Sequence, residues 1–293
     1  MNIRPTNWRH SAKTRPVSPP TRAELLDVAR QQLVASNTAA LDAEILLAHT
    51  LGLSRTQLIT WPESPVDDAS TQTFQQLIAR RRAGEPVAYL TGVQEFWSLD
   101  LHVTPDVLIP RADTEILVEY GLALIPEHAT WRIADLGTGS GAIALALASE
   151  RRTCQFVATD RSPTALAVAR SNATRLHIPN IEFLHGSWLE PLAGRYDIIV
   201  SNPPYIAEND PHLVDLGFEP ASALTAGHDG LEDLRQISRQ AGEFLQPAGW
   251  LLLEHGYEQA AEVKEMLTAA GFQHITTFCD IAGLERVTQG QRP

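Results

Sequence analysis

The chain of 293 residues carries 23 Lys and Arg against 35 Asp and Glu, a formal net charge of −12. That length predicts about two domains, and a chain this acidic lacks the cationic surplus from which nucleic-acid binders draw most of their affinity. Cys154 and Cys279 are too few for a disulfide framework, and no apolar stretch approaches the roughly 20 residues of a membrane-spanning helix.

Residues 1–20 combine Arg4, Arg9, Lys13 and Arg15 with four prolines and lack an apolar middle, so they read as a disordered basic tail rather than a signal peptide. A cytoplasmic location is expected. Thr21-x-x-Glu24 is a capping-box signature that opens a helix running to about residue 35. A second helix is predicted over 39–51 with Gly52 as its stop, a short one after Ser54-x-x-Gln57, and a longer one over 68–83, ended by Gly84 and Pro86. Residues 21–85 therefore read as a small all-α bundle. Its one basic cluster, Arg80-Arg81-Arg82, fits a solvated helix face as well as a partner contact. Residues 1–85 hold 10 basic and 8 acidic residues, which leaves 13 basic and 27 acidic downstream and a net charge of −14 there.

Residues 86–110 are predicted as a linker built on a β-hairpin, because 93–97 and 99–103 alternate apolar and polar. From 111 to 293 the pattern becomes regular α/β. A helix over about 113–125 precedes a strand ending at Asp135 and Leu136, then a glycine-rich loop and an Ala/Leu helix to about Ser149. The strand 155–159 ends in Asp160, and Ser162 caps a helix with Pro163 at its first position. Strands follow at 181–185 and 196–201, a helix opened by Asp229-x-x-Glu232, a strand at 249–254, a helix to about 270, and two β-rich pieces at 273–279 and 284–289. Such alternation implies a mostly parallel sheet covered by helices on both faces.

Two motifs carry chemistry. Asn202-Pro203-Pro204-Tyr205 follows the apolar run 196–201 directly, so it sits at a strand's carboxyl end, where open α/β sheets bind their ligands. Two prolines remove two backbone donors. The Asn202 Oδ1 and a backbone carbonyl are then two acceptors that suit an –NH2 group, an amide or an aromatic amine. A plain strand-ending turn is the alternative. Upstream, Gly137, Gly139 and Gly141 let the backbone approach a ligand, and Asp160, nineteen residues past Gly141, can accept both hydroxyls of a ribose. Gly137, Gly139 and Ala142 also fit the dinucleotide fingerprint, so the loop alone does not separate a pyrophosphate from a nucleoside ligand. Asp135, which suits an ammonium better than a phosphate, and the Asn-Pro-Pro-Tyr strand end favour the nucleoside.

With these motifs the chain resembles the class I S-adenosylmethionine-dependent methyltransferases, and more narrowly the HemK/PrmC family, which methylates the glutamine of the Gly-Gly-Gln motif in class-1 peptide chain release factors. The narrower resemblance rests on Gly84-Glu-Pro-Val-Ala-Tyr-Leu-Thr-Gly-Val-Gln-Glu-Phe-Trp97 and on Val107-Leu-Ile-Pro-Arg-Ala-Asp-Thr-Glu115. In the second segment Ala112 stands where the family has a proline. The resemblance spans about residues 21–289 and implies a Rossmann-like, mostly parallel seven-stranded sheet whose last strand pair is antiparallel, beside the N-terminal bundle that helps hold the substrate.

It further implies a cofactor site in which Gly137, Thr138, Gly139, Ser140 and Gly141 lie against the methionine end, Asp160 takes the ribose and Trp188 lies beside the adenine. Asn202, Pro203, Pro204 and Tyr205 would hold the glutamine amide, with Asn202 and Pro203 as its acceptors. Phe96, Arg111 and Glu115 are candidates for the substrate side, and Glu254 is a strand-end carboxylate near it. S-adenosylhomocysteine would be the product. The ten histidines show no metal-ligand spacing, so no metal is expected. Nucleic acid and membrane are not expected as partners, and a monomer is expected. Other readings of the same motifs are a ribosomal-protein glutamine methyltransferase, a nucleic-acid adenine methyltransferase, and a cofactor-sensing module without catalysis. The acidic charge downstream of residue 85 weighs against the nucleic-acid enzyme.

Overall fold

The computed structural model describes residues 18–293, so the segment 1–17, most of the predicted basic tail, lies outside the described residues. The described chain divides into two units, one ending at Leu90 and the other spanning Thr91–Pro293. The first unit is helical: α1 (Arg22–Gln32), α2 (Ala39–Leu51), α3 (Arg55–Thr60) and α4 (Asp68–Arg82), with α5 (Val87–Thr91) at the junction. Both expected capping boxes form, Thr21 with Glu24 and Ser54 with Gln57. Leu25, Leu26, Leu46, Leu47, Leu58, Phe74 and Ile78 pack into its core. Two of the three clustered arginines are held by acids of this unit: Arg81 pairs with the buried Asp42 at 2.8 Å, and Arg80 with Glu85. The cluster is therefore largely an internal clamp rather than a free basic patch.

The expected linker over 86–110 is not one piece. Pro86 starts the short helix α5, whereas β1 (Val93–Phe96) and β2 (Leu99–His102) form a hairpin that belongs to the second unit. Each strand of the hairpin ends one residue earlier than expected, at Phe96 and His102. Phe96 and Leu101 are part of the main sheet core. Asn172, fully buried, accepts from the His102 N–H at 2.7 Å and donates to the His102 and Ser140 carbonyls at 2.9 Å each. One amide thus ties the hairpin to the glycine loop.

After a 3-10 turn at Ala112–Thr114 and α6 (Glu115–Leu124) come β3 (Arg132–Leu136), α7 (Ala142–Glu150), β4 (Gln155–Asp160), α8 (Pro163–Arg175), β5 (Ile181–His185) and β6 (Tyr196–Ser201). The chain then runs through two further 3-10 turns to α9 (Glu232–Phe244), β7 (Leu245–Glu254), α10 (Ala260–Ala269), β8 (Gln273–Cys279) and β9 (Glu285–Gln291). The seven strands lie in the order β5-β4-β3-β6-β7-β9-β8, with β9 antiparallel to both its neighbours and the other pairs parallel. Alternate residues feed two cores. Ile133, Ile198, Val200 and Leu252 face α6 and α7, while Ala134, Ile199, Leu251 and Leu253 face α9 and α10. Burial on both faces is why these strands read as continuous apolar runs.

Two predicted boundaries move. β7 begins at Leu245 rather than Gly249, because Leu245 pairs with Tyr196 before residues 246–249 bulge out, and the ladder resumes at Trp250 opposite Ile198. Pro247 inside that bulge hid the start of the strand. Asp229 does not cap α9, which starts at Glu232; its carboxylate instead accepts from the Leu231 N–H at 3.1 Å and pairs with Arg235.

Candidate active site

The strand order reverses between β3 and β6, and the loops after Leu136, Asp160 and Ser201 leave the same sheet edge side by side, since Leu136 is level with both Thr159 and Ser201. Ligands of open α/β sheets bind at such a switch point. A cleft opens there, lined among others by Gly137, Gly139, Asp160, Trp188, Asn202 and Pro204.

The glycine loop is built for close approach. Gly141, at φ 87°, precedes the first residue of α7, and a Cβ there would lie 2.9 Å from Leu145 Cδ1. Gly137, at φ 70°, lies against the indole of Trp188, 2.7 Å from where its Cβ would be, whereas a Cβ on Gly139 would meet open space. Beneath the loop, Asp135 is 1% exposed; its Oδ2 accepts from the Thr138 hydroxyl at 2.6 Å and the Ala144 N–H at 3.2 Å. Its Oδ1 is buried without a hydrogen-bond partner among the described residues. Burial pushes the Asp135 carboxyl up to about 7, against the stabilising bonds from Thr138 and Ala144. Thr138 and Ser140 are buried under the loop and, like Asp135 and Gly141, do not line the cleft.

Asp160 accepts from the Gly139 N–H at 2.9 Å through Oδ2 and from the Ser162 N–H at 2.8 Å through Oδ1. Each oxygen keeps a lone pair, so the carboxylate is oriented yet still able to take two hydroxyls. Trp188 is buried with a left-handed backbone, φ 47°, held by a bond from the Thr159 hydroxyl to its carbonyl at 2.9 Å and from its indole N–H to Asp233 at 3.2 Å. A bulky residue in that region is strained, and such strain gathers at functional sites.

Asn202 donates from Nδ2 to the Thr114 hydroxyl at 3.1 Å, which leaves Oδ1 as its unused acceptor. Pro203 and Pro204 are buried, and of the pair only Pro204 lines the cleft. Tyr205 is pinned by its backbone: its carbonyl accepts from Gln259 at 3.0 Å and lies where a Cβ on Gly230 would fall. Its hydroxyl reaches the buried Glu254 at 3.5 Å, and burial holds the phenol well above its usual range. Burial likewise pushes Glu254 up to about 7, opposed by Thr114, Arg286 and Tyr205.

The three proposed substrate-side residues separate. Phe96 is 1% exposed inside the core. Glu115 accepts from the Trp97 N–H at 2.8 Å and so braces the hairpin. Arg111 pairs with Glu219, whose other oxygen accepts from the Ile109 N–H at 3.0 Å. Sequence reasoning missed Thr114, Glu219, the cleft wall of Asp106, Val107 and Leu108, and the turn carrying Pro220, Ser222 and Ala223 that also lines the cleft. The proline and three small residues from 220 to 223 were the signal available.

A sheet in this strand order, with a glycine-loop cleft at its switch point and Asn-Pro-Pro-Tyr at the adjoining strand end, defines a class I methyltransferase. A methyltransferase solved from Pyrococcus furiosus shares the fold, with a TM-score of 0.51 over 74% of this chain and 97% of that one at 19% identity. The PrmC N-terminal domain model matches residues 24–92 and the methyltransferase small domain model residues 113–218. The release factor glutamine methyltransferase of Vibrio cholerae is 52% identical over 91% of this chain and 95% of its own length. That of Pseudomonas aeruginosa is 53% identical over 89% of this chain and 95% of its own length. The chain belongs to the release factor glutamine methyltransferase family.

Proposed function

We propose that this chain transfers the methyl group of S-adenosylmethionine to the side-chain amide nitrogen of the glutamine in the Gly-Gly-Gln motif of class-1 peptide chain release factors, in the cytoplasm. Family membership supports the reaction and the protein acceptor. The observation that carries the reading at the level of residues is Asn202, whose Nδ2 is already engaged by Thr114, so that an acceptor oxygen is left at the strand end beside the cleft.

The residues fit the cofactor. Asp160 has a lone pair on each oxygen for the ribose hydroxyls, Trp188 and Gly137 form a flat wall suited to the adenine, and the unpartnered Asp135 Oδ1 is left for an ammonium reaching the base of the loop. When bound, S-adenosylmethionine supplies a methyl group on a positively charged sulfur, which needs no further activation, and leaves as S-adenosylhomocysteine.

The chain's own task is to orient a poor nucleophile. An amide nitrogen is delocalised into its carbonyl. Asn202 Oδ1 and the Pro203 carbonyl accept its two N–H bonds, hold it in place and stabilise the positive charge that develops on it. Alignment of this kind is worth on the order of 7–11 kcal/mol when reacting atoms are held about 3–3.5 Å apart. Acceptors aimed at charge that appears only in the transition state add to it. No strong base is needed before attack, because the proton becomes acidic only as the new bond forms. Tyr205, half-buried beside them, closes the site to water.

The test is transfer of labelled methyl from S-adenosylmethionine to a purified class-1 release factor, its Gly-Gly-Gln→Gly-Gly-Ala variant and duplex DNA. Label on the unmodified factor alone is expected. Label on DNA, or equal label on both factors, would overturn the acceptor assignment.

A further inference from the structure

Trp188 occupies a backbone position that argues against a bulky side chain. It is the second residue of a turn closed by the Glu190 N–H on the Ser187 carbonyl at 3.0 Å, and its φ of 47° is of the kind that such turns give to Gly, Asn or Asp. A conformation this costly persists only where the surroundings over-determine it. For the backbone, the buried Thr159 of β4 does so. Its hydroxyl donates to the Trp188 carbonyl at 2.9 Å, and a carbonyl can only accept, so the direction of the bond is settled.

A fixed backbone does not yet fix the ring. Two side-chain bonds of a tryptophan remain free to rotate, and each rotamer sets the indole in a different plane. At Trp188 that plane matters, because ring atom Cζ3 lies 2.7 Å from where a Cβ on Gly137 would stand, and both residues line the cleft. The polar edge of the ring is held by Asp233, half-buried in the first turn of α9 and 45 residues away in sequence. Its Oδ1 accepts from the indole N–H at 3.2 Å. The indole N–H only donates and an ionised carboxylate only accepts. A ring turned over about its Cβ–Cγ bond would lose this partner inside a buried site, which is costly.

We propose that Asp233 is a positioning residue for cofactor binding: from α9 it holds the Trp188 indole in the plane against which the adenine of S-adenosylmethionine stacks. The inference rests on the reading of Trp188 as the adenine wall. Asp233 itself does not line the cleft, so it acts through the indole. Its effect belongs to cofactor affinity and not to the chemical step.

Calorimetry measures cofactor affinity for the wild-type chain, Asp233→Ala, Asp233→Asn, Trp188→Ala, Trp188→Phe, and Asp233→Ala combined with Trp188→Phe. NMR follows the Trp188 indole N–H signal of the ligand-free chain, assigned through its loss in Trp188→Phe. Asp233→Ala is expected to raise the cofactor Kd about tenfold, the worth of one hydrogen bond to a charged group, with kcat on a purified release factor at saturating cofactor within about twofold. It is also expected to speed exchange of the indole proton. Asp233→Asn, which keeps an oxygen to accept, is expected to recover most of the affinity. Trp188→Phe removes the donor, so adding Asp233→Ala to it is expected to cost no more than about twofold further. An unchanged Kd in Asp233→Ala would overturn the proposal, as would losses that simply add in the double variant. Should Asp233→Ala fail to fold, the wild-type spectrum decides alone: a fast-exchanging Trp188 indole proton contradicts the positioning role. Trp188→Ala with wild-type affinity would instead defeat the adenine wall and the proposal with it, whereas a weakened Trp188→Ala beside an unchanged Asp233→Ala would defeat the proposal alone.

Discussion

Glu219 holds Arg111 by its guanidinium and Ile109 by its backbone N–H, so one buried carboxylate fastens the segment after Leu108 to the turn whose Pro220, Ser222 and Ala223 line the cleft. Arg111 is therefore tied to that turn. Removing the carboxylate strands a buried N–H and an unpaired guanidinium together, and losing one partner of a buried pair costs about 3–5 kcal/mol. Arg111 is part-exposed, which moves the expectation for Glu219→Ala to roughly 2–3 kcal/mol. Urea unfolding checks the magnitude, and limited proteolysis of the folded chain checks the place: cleavage should concentrate between 206 and 224. Unchanged cleavage there would contradict the fastening role.

Asn202→Ala removes the acceptor without touching the ribose or adenine walls. Methyl transfer is expected to fall by at least about 100-fold, in the range seen when a preorganised transition-state contact is deleted, while cofactor affinity stays within a few-fold. Near-normal turnover by this variant would sink the mechanism. Asp160→Ala is expected to do the reverse in binding and raise the cofactor Kd sharply.

The glycine loop separates fold from function. Gly137→Ala drives a Cβ into Trp188 at 2.7 Å, so the indole must shift in the free protein, whereas Gly139→Ala meets open space and only its backbone, at φ 56°, resists. The left-handed region costs a non-glycine residue roughly 1–2 kcal/mol. Gly137→Ala should therefore lower the Tm of the ligand-free chain more than Gly139→Ala, while both weaken cofactor binding. Calorimetric melting and titration of the two variants separate these effects. Equal melting temperatures would refute the contact with Trp188.

What could be read from the sequence was local. The glycine loop, Asp160 and Asn202-Pro203-Pro204-Tyr205 each sit where a continuous apolar strand stops, and the capping boxes of α1 and α3 are four-residue signals. Thr114 and Glu219 gave no such signal, because their partners lie 88 and 108 residues away and only the sheet brings them together. Phe96 was misplaced for the opposite reason. Its motif neighbours in sequence are on the surface of the hairpin, while the two-residue strand period turns Phe96 itself into the core. The short helix α5 was missed although Pro86 preceded it, because five residues are too few for a helical period to show.

Through the proposed contact with the cofactor ammonium, Asp135 is expected to make cofactor binding pH-dependent. Burial holds its carboxyl at about 7 in the free protein, well above the 3.8 of an exposed aspartate. In that interval the folded chain binds a proton that the unfolded chain has lost, so this group makes the ligand-free protein less stable as pH rises from about 4 to 7. Glu254, raised to about 7 by the same cause, adds in the same sense. An ammonium beside Asp135 Oδ1 favours the ionised form, so binding releases a proton near neutral pH and affinity weakens as pH falls below about 7, by up to about tenfold per unit. Calorimetry in two buffers of different ionisation enthalpy measures the proton released. Melting of the ligand-free chain between pH 5.5 and 7.5, about this interval, measures the stability. Asp135→Asn should bind the cofactor weakly at every pH with the proton release abolished. A wild-type chain that binds equally well at the two ends of that range would show that Asp135 does not meet the ammonium.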